Sequence, residues 1–244
     1  MKSVGVGRVL EEMTSSTGRL IGLDLIRVFA IYYVFVQHGK ILVTEDFLST
    51  YSLFVNIPIE GVSVFFLLSG FLIGTILNKQ LKTEGLTFRK LSDFWMRRVL
   101  RIVPSYFVVL LVLVLVGAHS DTFDWSYLLF SQNLIQDQGA FFKVSWSLSV
   151  EMWFYFLFPL SIYFLLKVVD SKIRALFISV CVFLVCSFVF RMLNFLIPDF
   201  LGLDSTRKVV FFRMDSMMYG VLASIAYAHY RPLWEKYSKK LAVV

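Results

Sequence analysis

Long apolar runs alternate with short polar segments along the chain. Six of the runs reach or approach the ~20 residues that carry an α-helix across a bilayer. They fall at about 20–38, 57–77, 101–118, 146–166, 174–191 and 209–228. Each run is continuous and lacks the period-two alternation of a lipid-facing β-barrel. The pattern therefore predicts an all-α, polytopic transmembrane helix bundle of about six spans. Composition points the same way: of 244 residues, 58% are hydrophobic and 17% charged. The mean hydropathy is +0.74. No soluble core could bury that much apolar surface.

The net charge of +7 could suit nucleic acid, but the basic residues sit between apolar runs, which is a topology signal. Lys79, Lys82, Arg89, Lys90, Arg97, Arg98 and Arg101 face only Glu84 and Asp93 within 79–101. The positive-inside rule predicts that segment, the turn Lys167–Arg174 and the tail Arg231–Lys240 to be cytoplasmic. The loops 39–56 and 119–145 are poor in Lys and Arg, as outer loops are. Both termini are then expected in the cytoplasm. The organisation expected is a polar N-terminal segment (1–19), a membrane domain (20–230) and a basic tail (231–244). The first 19 residues are polar and mixed in charge, so no cleavable signal peptide is read there. Cys181 and Cys186 lie inside an apolar run and read as small packing residues, not as a disulfide. No metal-ligand spacing is present, and His119 and His229 are read as lone loop residues.

Ionisable residues inside apolar runs need a polar interior to face. In the first run, Asp24, Arg27 and His38 fall within about 40° of one stripe, with roughly 16 Å between Arg27 and His38. Histidine can titrate near neutral pH and move a proton. The plainer reading is a self-neutralising Asp–Arg pair beside an interfacial histidine. In the fourth run, Trp146, Ser147, Glu151 and Tyr155 lie close together, and Ser147, Glu151 and Tyr155 share one face. A carboxylate there suits a proton carrier or a partner for imidazole, or a structural hydrogen bond between helices. Arg98 and Arg101 lie one turn apart. Two guanidinium forks suit phosphate, although basic residues flank inner helix ends for topology alone. Arg213 and Asp215 point about 200° apart, so no mutual pair is expected. The small residues in Gly61–Phe71 permit close helix packing.

Taken in order, these stretches resemble the acyltransferase-3 family of integral-membrane O-acyltransferases. The matching segments are Leu23–Arg27 with His38, Val64–Leu72, Arg97–Pro104, Trp146–Glu151 and Arg213–Asp215. The resemblance implies transfer of an acyl group, commonly acetyl, from acyl-CoA to a hydroxyl of a cell-envelope glycan. The family's arginine–histidine motif maps onto Arg27 and His38, its paired arginines onto Arg98 and Arg101, and its glutamate onto Glu151. The chain departs from the family at Leu25, where glycine is usual, and in offering six spans against about ten. It is thus expected to be a short member or a piece of a longer one.

Joined to the helical geometry, the resemblance gives an expected mechanism. Acyl-CoA acts as a co-substrate, with no permanently bound cofactor and no metal. Arg98 and Arg101 hold its phosphates. His38 serves as general base or acyl carrier, and Glu151 or Asp215 orients it. Arg27, Ser147 or Tyr155 steadies the oxyanion, and Trp146, Ser147 and Tyr155 face the substrate. The expected partners are acyl-CoA, a carbohydrate or lipid-linked glycan acceptor and membrane lipids, with no nucleic acid. The expected location is the bacterial inner membrane. The competing reading is a transporter or flippase with an intramembrane proton relay.

Overall fold

Each apolar run forms a helix. The computed structural model describes residues 21–44, 60–83, 85–117, 122–136, 138–197 and 207–241. Their six α-helices are α1 (Ile21–Gly39), α2 (Gly61–Thr83), α3 (Phe88–Val116), α4 (Trp146–Leu165), α5 (Lys172–Leu196) and α6 (Val210–Leu241). Three short 3₁₀ turns accompany them, and there is no strand among the described residues. Four helical segments are long and apolar enough to cross a membrane: Gly61–Thr83, Phe88–Val116, Lys143–Leu165 and Lys172–Leu196. The chain is an integral membrane protein. The expected polar segment 1–19 lies outside the described residues.

The basic stretch 79–101 was expected as a loop and is instead mostly helix. Lys79 and Lys82 extend α2, and Arg89 to Arg101 form the first turns of α3. The cause is local. Thr87 is an extended N-cap whose side chain accepts from the Lys90 amide, so α3 begins before its apolar part. Gly117, in the left-handed region at φ 70°, ends it. Likewise, Ser171 caps α5 by accepting from the Arg174 amide. His229 lies in helix rather than loop, and α6 runs to Leu241 through a break in helical geometry at Tyr230.

The chain divides into two compact units: Met1–Leu68 with Ala226–Val244, and Ser69–Ile225. In the first, α1 buries Ala30 and Tyr33. Gly61 sits so close to α1 that a Cβ there would lie 2.9 Å from the Ala30 carbonyl oxygen.

In the second unit, aromatic side chains knit α3 to α4 and α4 to α5. Trp95 stacks on Phe156 at 4.7 Å, and Phe158 meets Phe183 edge-on at 5.7 Å. Ser161 bonds Ser179 at 3.1 Å across the second interface. Gly70 and Gly74 let α2 lie directly on α6, backbone against backbone.

The segment between α3 and α4 is folded rather than open. Tyr106, Tyr127, Phe130, Phe141 and Phe142 form a buried cluster. Asn133 ties this segment to the start of α4 through the Trp146 carbonyl at 3.1 Å. It ties it to the start of α6 through Lys208 O at 2.5 Å and through Val210 N at 2.9 Å. Tyr127 is only 1% exposed, so its ring neither stacks on a sugar nor anchors at a membrane interface. Trp125 remains exposed.

Candidate active site

Pro159 stands inside α4. It lacks an amide hydrogen, so the carbonyl four residues earlier, on Tyr155, loses its helical partner. Trp95 of α3 fills the gap, its Nε1–H donating to Tyr155 O at 3.1 Å. A break in the α4 ladder thereby becomes a rivet between α3 and α4. It fixes the turn that carries Tyr155.

The other end of Tyr155 is fixed too. Its hydroxyl donates to Glu151 Oε1 in a very short hydrogen bond. Ser69 of α2 donates to the same oxygen at 2.8 Å. The Arg98 guanidinium carbon lies 5.1 Å from the centroid of the Tyr155 ring and 5.4 Å from that of Phe94. A cation over two aromatic faces is attracted to both quadrupoles. Arg98, Tyr155, Glu151 and Ser69 thus form one connected constellation on three helices.

This arrangement has a chemical consequence. Two hydroxyl donors converge on Oε1. Oε2 makes no hydrogen bond among the described residues and can accept from a further partner. Arg98 makes no hydrogen bond among the described residues, so its N–H groups are open to a ligand.

The remaining expected residues fall as follows. Arg101 is exposed, one turn beyond Arg98. Trp146 is buried and Ser147 half-buried at the start of α4. Ser147 makes no hydrogen bond among the described residues. In the first unit, Arg27 Nη1 donates to Asp24 Oδ1 at 2.7 Å, the local pair that spacing allowed. His38 is exposed in the last turn of α1. Asp215 is 8% exposed and forms a close ion pair with Arg191 of α5. Its carboxylate is therefore engaged across a helix interface, and as spacing predicted its partner is not Arg213. Among the described residues, no group of three or more potential metal ligands gathers.

Sequence reasoning passed over two of these residues. Ser69 was read only as a packing residue, and its role is set by a partner 82 positions away. Arg191 stands alone as a cation in an apolar run. That solitude was the available signal that an acid on another helix answers it.

Comparison with known proteins settles the family. The profile of the acyltransferase-3 domain, described as an acyltransferase domain, matches residues 20–244. The chain belongs to the acyltransferase-3 family. The O-acetyltransferase OatA of Staphylococcus aureus strain NCTC 8325 is 33% identical over 178 residues, covering 64% of this chain and 27% of that protein. A protein of Staphylococcus aureus strain COL, whose name assigns it O-acetyltransferase activity provisionally, is 28% identical over 177 residues with the same coverage. The matched part is thus about a quarter of each relative's length. No solved structure gives a significant match. Within this family member, the segments that carried the resemblance include Ser69, Arg98 and Glu151, and Tyr155 lies one turn beyond.

Proposed function

We propose that this acyltransferase-family chain carries out O-acyl transfer, moving an acyl group, acetyl in the simplest case, from acyl-CoA to a hydroxyl of a cell-envelope or lipid-linked glycan. The observation that carries this reading is the Glu151 carboxylate, held on one oxygen by Ser69 and Tyr155 and open on the other. Family membership and the O-acetyltransferase names of the relatives support it.

In the proposed reaction, His38 takes the proton of the acceptor hydroxyl as its oxygen attacks the thioester carbonyl. The tetrahedral intermediate then collapses, the C–S bond breaks, and the CoA thiolate leaves and collects a proton. A carboxylate with an open oxygen is what a general-base imidazole needs to hold its tautomer and steady its cation. Glu151 has that open oxygen, whereas Asp215 is engaged by Arg191, so of the two carboxylates Glu151 is the one free to serve a general base. Arg27 is closed by Asp24 and Tyr155 by Glu151, which leaves the Ser147 hydroxyl as the oxyanion donor. The open edge of Arg98, with Arg101, receives donor phosphates.

The same proposal places both termini in the cytoplasm of a bacterial inner membrane. Its support is the concentration of Lys and Arg at 79–101, 167–174 and 231–240.

The test is acetyl transfer from labelled acetyl-CoA in proteoliposomes. His38→Ala should abolish transfer with expression unchanged, and retained transfer would remove His38 from the mechanism. Ser69→Ala should slow transfer about tenfold or more, because it removes one hydrogen bond to a charged group. Full activity in that variant would sever the constellation from catalysis.

A further inference from the structure

A cavity lies away from Glu151, where the end of α2 meets the start of α5. Its volume is about 170 Å³, and it is lined by Asn78, Leu81, Lys82, Lys172, Ile173 and Leu176. Lysines near helix ends usually project into water to satisfy topology. Here they border a cavity that also holds the Asn78 side chain. Asn78 is only 7% exposed, and its amide pairs with nothing among the described residues. An amide with no protein partner that lines the cavity is available to donate to and accept from a ligand group.

The surroundings specify an anion. Lys172 is the first residue of α5, whose N-terminal amides and dipole favour negative charge. The Lys172 ammonium reaches across to the α2–α3 turn, 3.9 Å from where a Cβ on Gly85 would stand. Lys90 Nζ donates to the Gly85 carbonyl on the same turn at 3.5 Å. Among the described residues, no carboxylate lines the cavity. Two ammonium groups, an amide and a helix N-terminus suit a phosphate monoester, which carries close to two negative charges. The volume fits a phosphate group rather than a whole nucleotide.

We infer that the Asn78–Lys82–Lys172 cavity binds the 3′-phosphate of the acyl-CoA donor. The inference rests on the donor proposed above. In the proposed orientation the cavity lies at the cytoplasmic end of the bundle. Arg98 stands about 15 Å further along α3 from its first residue, on the way to Glu151. A donor anchored here by its nucleotide end points its thioester arm toward the site already described.

The experiment measures binding rather than turnover. The full chain is titrated calorimetrically in nanodiscs of neutral lipid with acetyl-CoA and with 3′-dephospho-acetyl-CoA, as wild type and as Lys82→Gln/Lys172→Gln. Wild type should prefer acetyl-CoA by about tenfold to a hundredfold. The double variant should bind both donors alike, with the wild-type affinity for the dephospho form. Each lysine is exposed, so the melting temperature should hold; should the double variant not fold, Lys172→Gln alone should show a reduced preference. A variant that keeps the full preference overturns the inference. A wild type with no preference overturns it while leaving the acyl-CoA donor standing. A wild type that binds neither compound overturns both. In nanodiscs containing phosphatidic acid, a variant that loses lipid retention but keeps the donor preference would reassign the cavity to a lipid headgroup and overturn the inference.

Discussion

Replacing Gly70 with alanine tests whether the packing of α2 on α6 holds the Glu151 site together. A Cβ at Gly70 would stand 1.9 Å from the Met217 carbonyl oxygen and 2.8 Å from its carbonyl carbon. Those atoms are backbone, so no side-chain rotation relieves the clash. A Cβ essentially never comes within 3.0 Å of such an atom and 3.0–3.4 Å is already tight, so the helices must part by roughly 1 to 1.5 Å. Ser69, the neighbouring residue, donates to Glu151 at 2.8 Å. A shift of that size directed along this bond stretches it to about 4 Å, beyond hydrogen bonding. Overpacking of this kind costs about 1–3 kcal/mol, a loss of several degrees in melting temperature for a chain of this size. The assay is thermal unfolding in detergent beside acetyl transfer in proteoliposomes. Gly22→Ala is the control, because a Cβ there meets nothing within 4 Å. Gly70→Ala should melt lower and transfer poorly, while Gly22→Ala should do neither. A Gly70→Ala protein that melts and transfers like wild type would refute the coupling of this contact to the site.

Three other expectations follow from the structure. Trp95→Phe should destabilise by about 1–3 kcal/mol through the orphaned Tyr155 carbonyl; the loss should shrink in a Pro159→Ala background, where α4 regains its own amide donor. An equal loss in both backgrounds would break that account. Arg191→Ala strands Asp215, 8% exposed, and should cost about 3 kcal/mol, most of it recovered by adding Asp215→Asn; an unmoved unfolding midpoint would contradict it. Tyr127 lies outside the spans, and desolvation pushes its hydroxyl above the ordinary tyrosine value. Its contribution is complete below about pH 10 and is lost above it, as the unfolded tyrosine ionises first. Melting temperature followed from about pH 8 to 11 should fall more steeply for wild type than for Tyr127→Phe, and parallel curves would count against the shift.

Much of the helix order was legible because apolar runs and spans are one physical fact, the need to satisfy backbone polar groups inside lipid. The basic start of α3 was misread because charge reports topology and not conformation. Arg, Lys and Leu are all good helix formers, and the Thr87 cap was the overlooked sign. In the site, the Ser147–Glu151–Tyr155 face follows from helical spacing, and the structure brings Glu151 and Tyr155 into contact on it. Ser69 and Trp95 were invisible at that level, since their partners lie 82 and 60 positions away. Local periodicity places a side chain on a face and says nothing of which helix that face meets. Asp215 shows the same limit: spacing excluded Arg213 as its partner but could not name Arg191.

Tyr155 is gripped at its carbonyl by Trp95, on its ring by Arg98 and at its hydroxyl by Glu151. Such a residue is hard to replace. Phenylalanine would keep the ring and surrender the hydroxyl, and histidine or glutamine would keep a polar tip and surrender the broad face under Arg98. No single replacement answers both Arg98 and Glu151, so a lineage can leave tyrosine here only by changing several helices together. Diversification toward new acceptors should therefore accumulate in the connecting segments, while this stretch of α4 stays fixed.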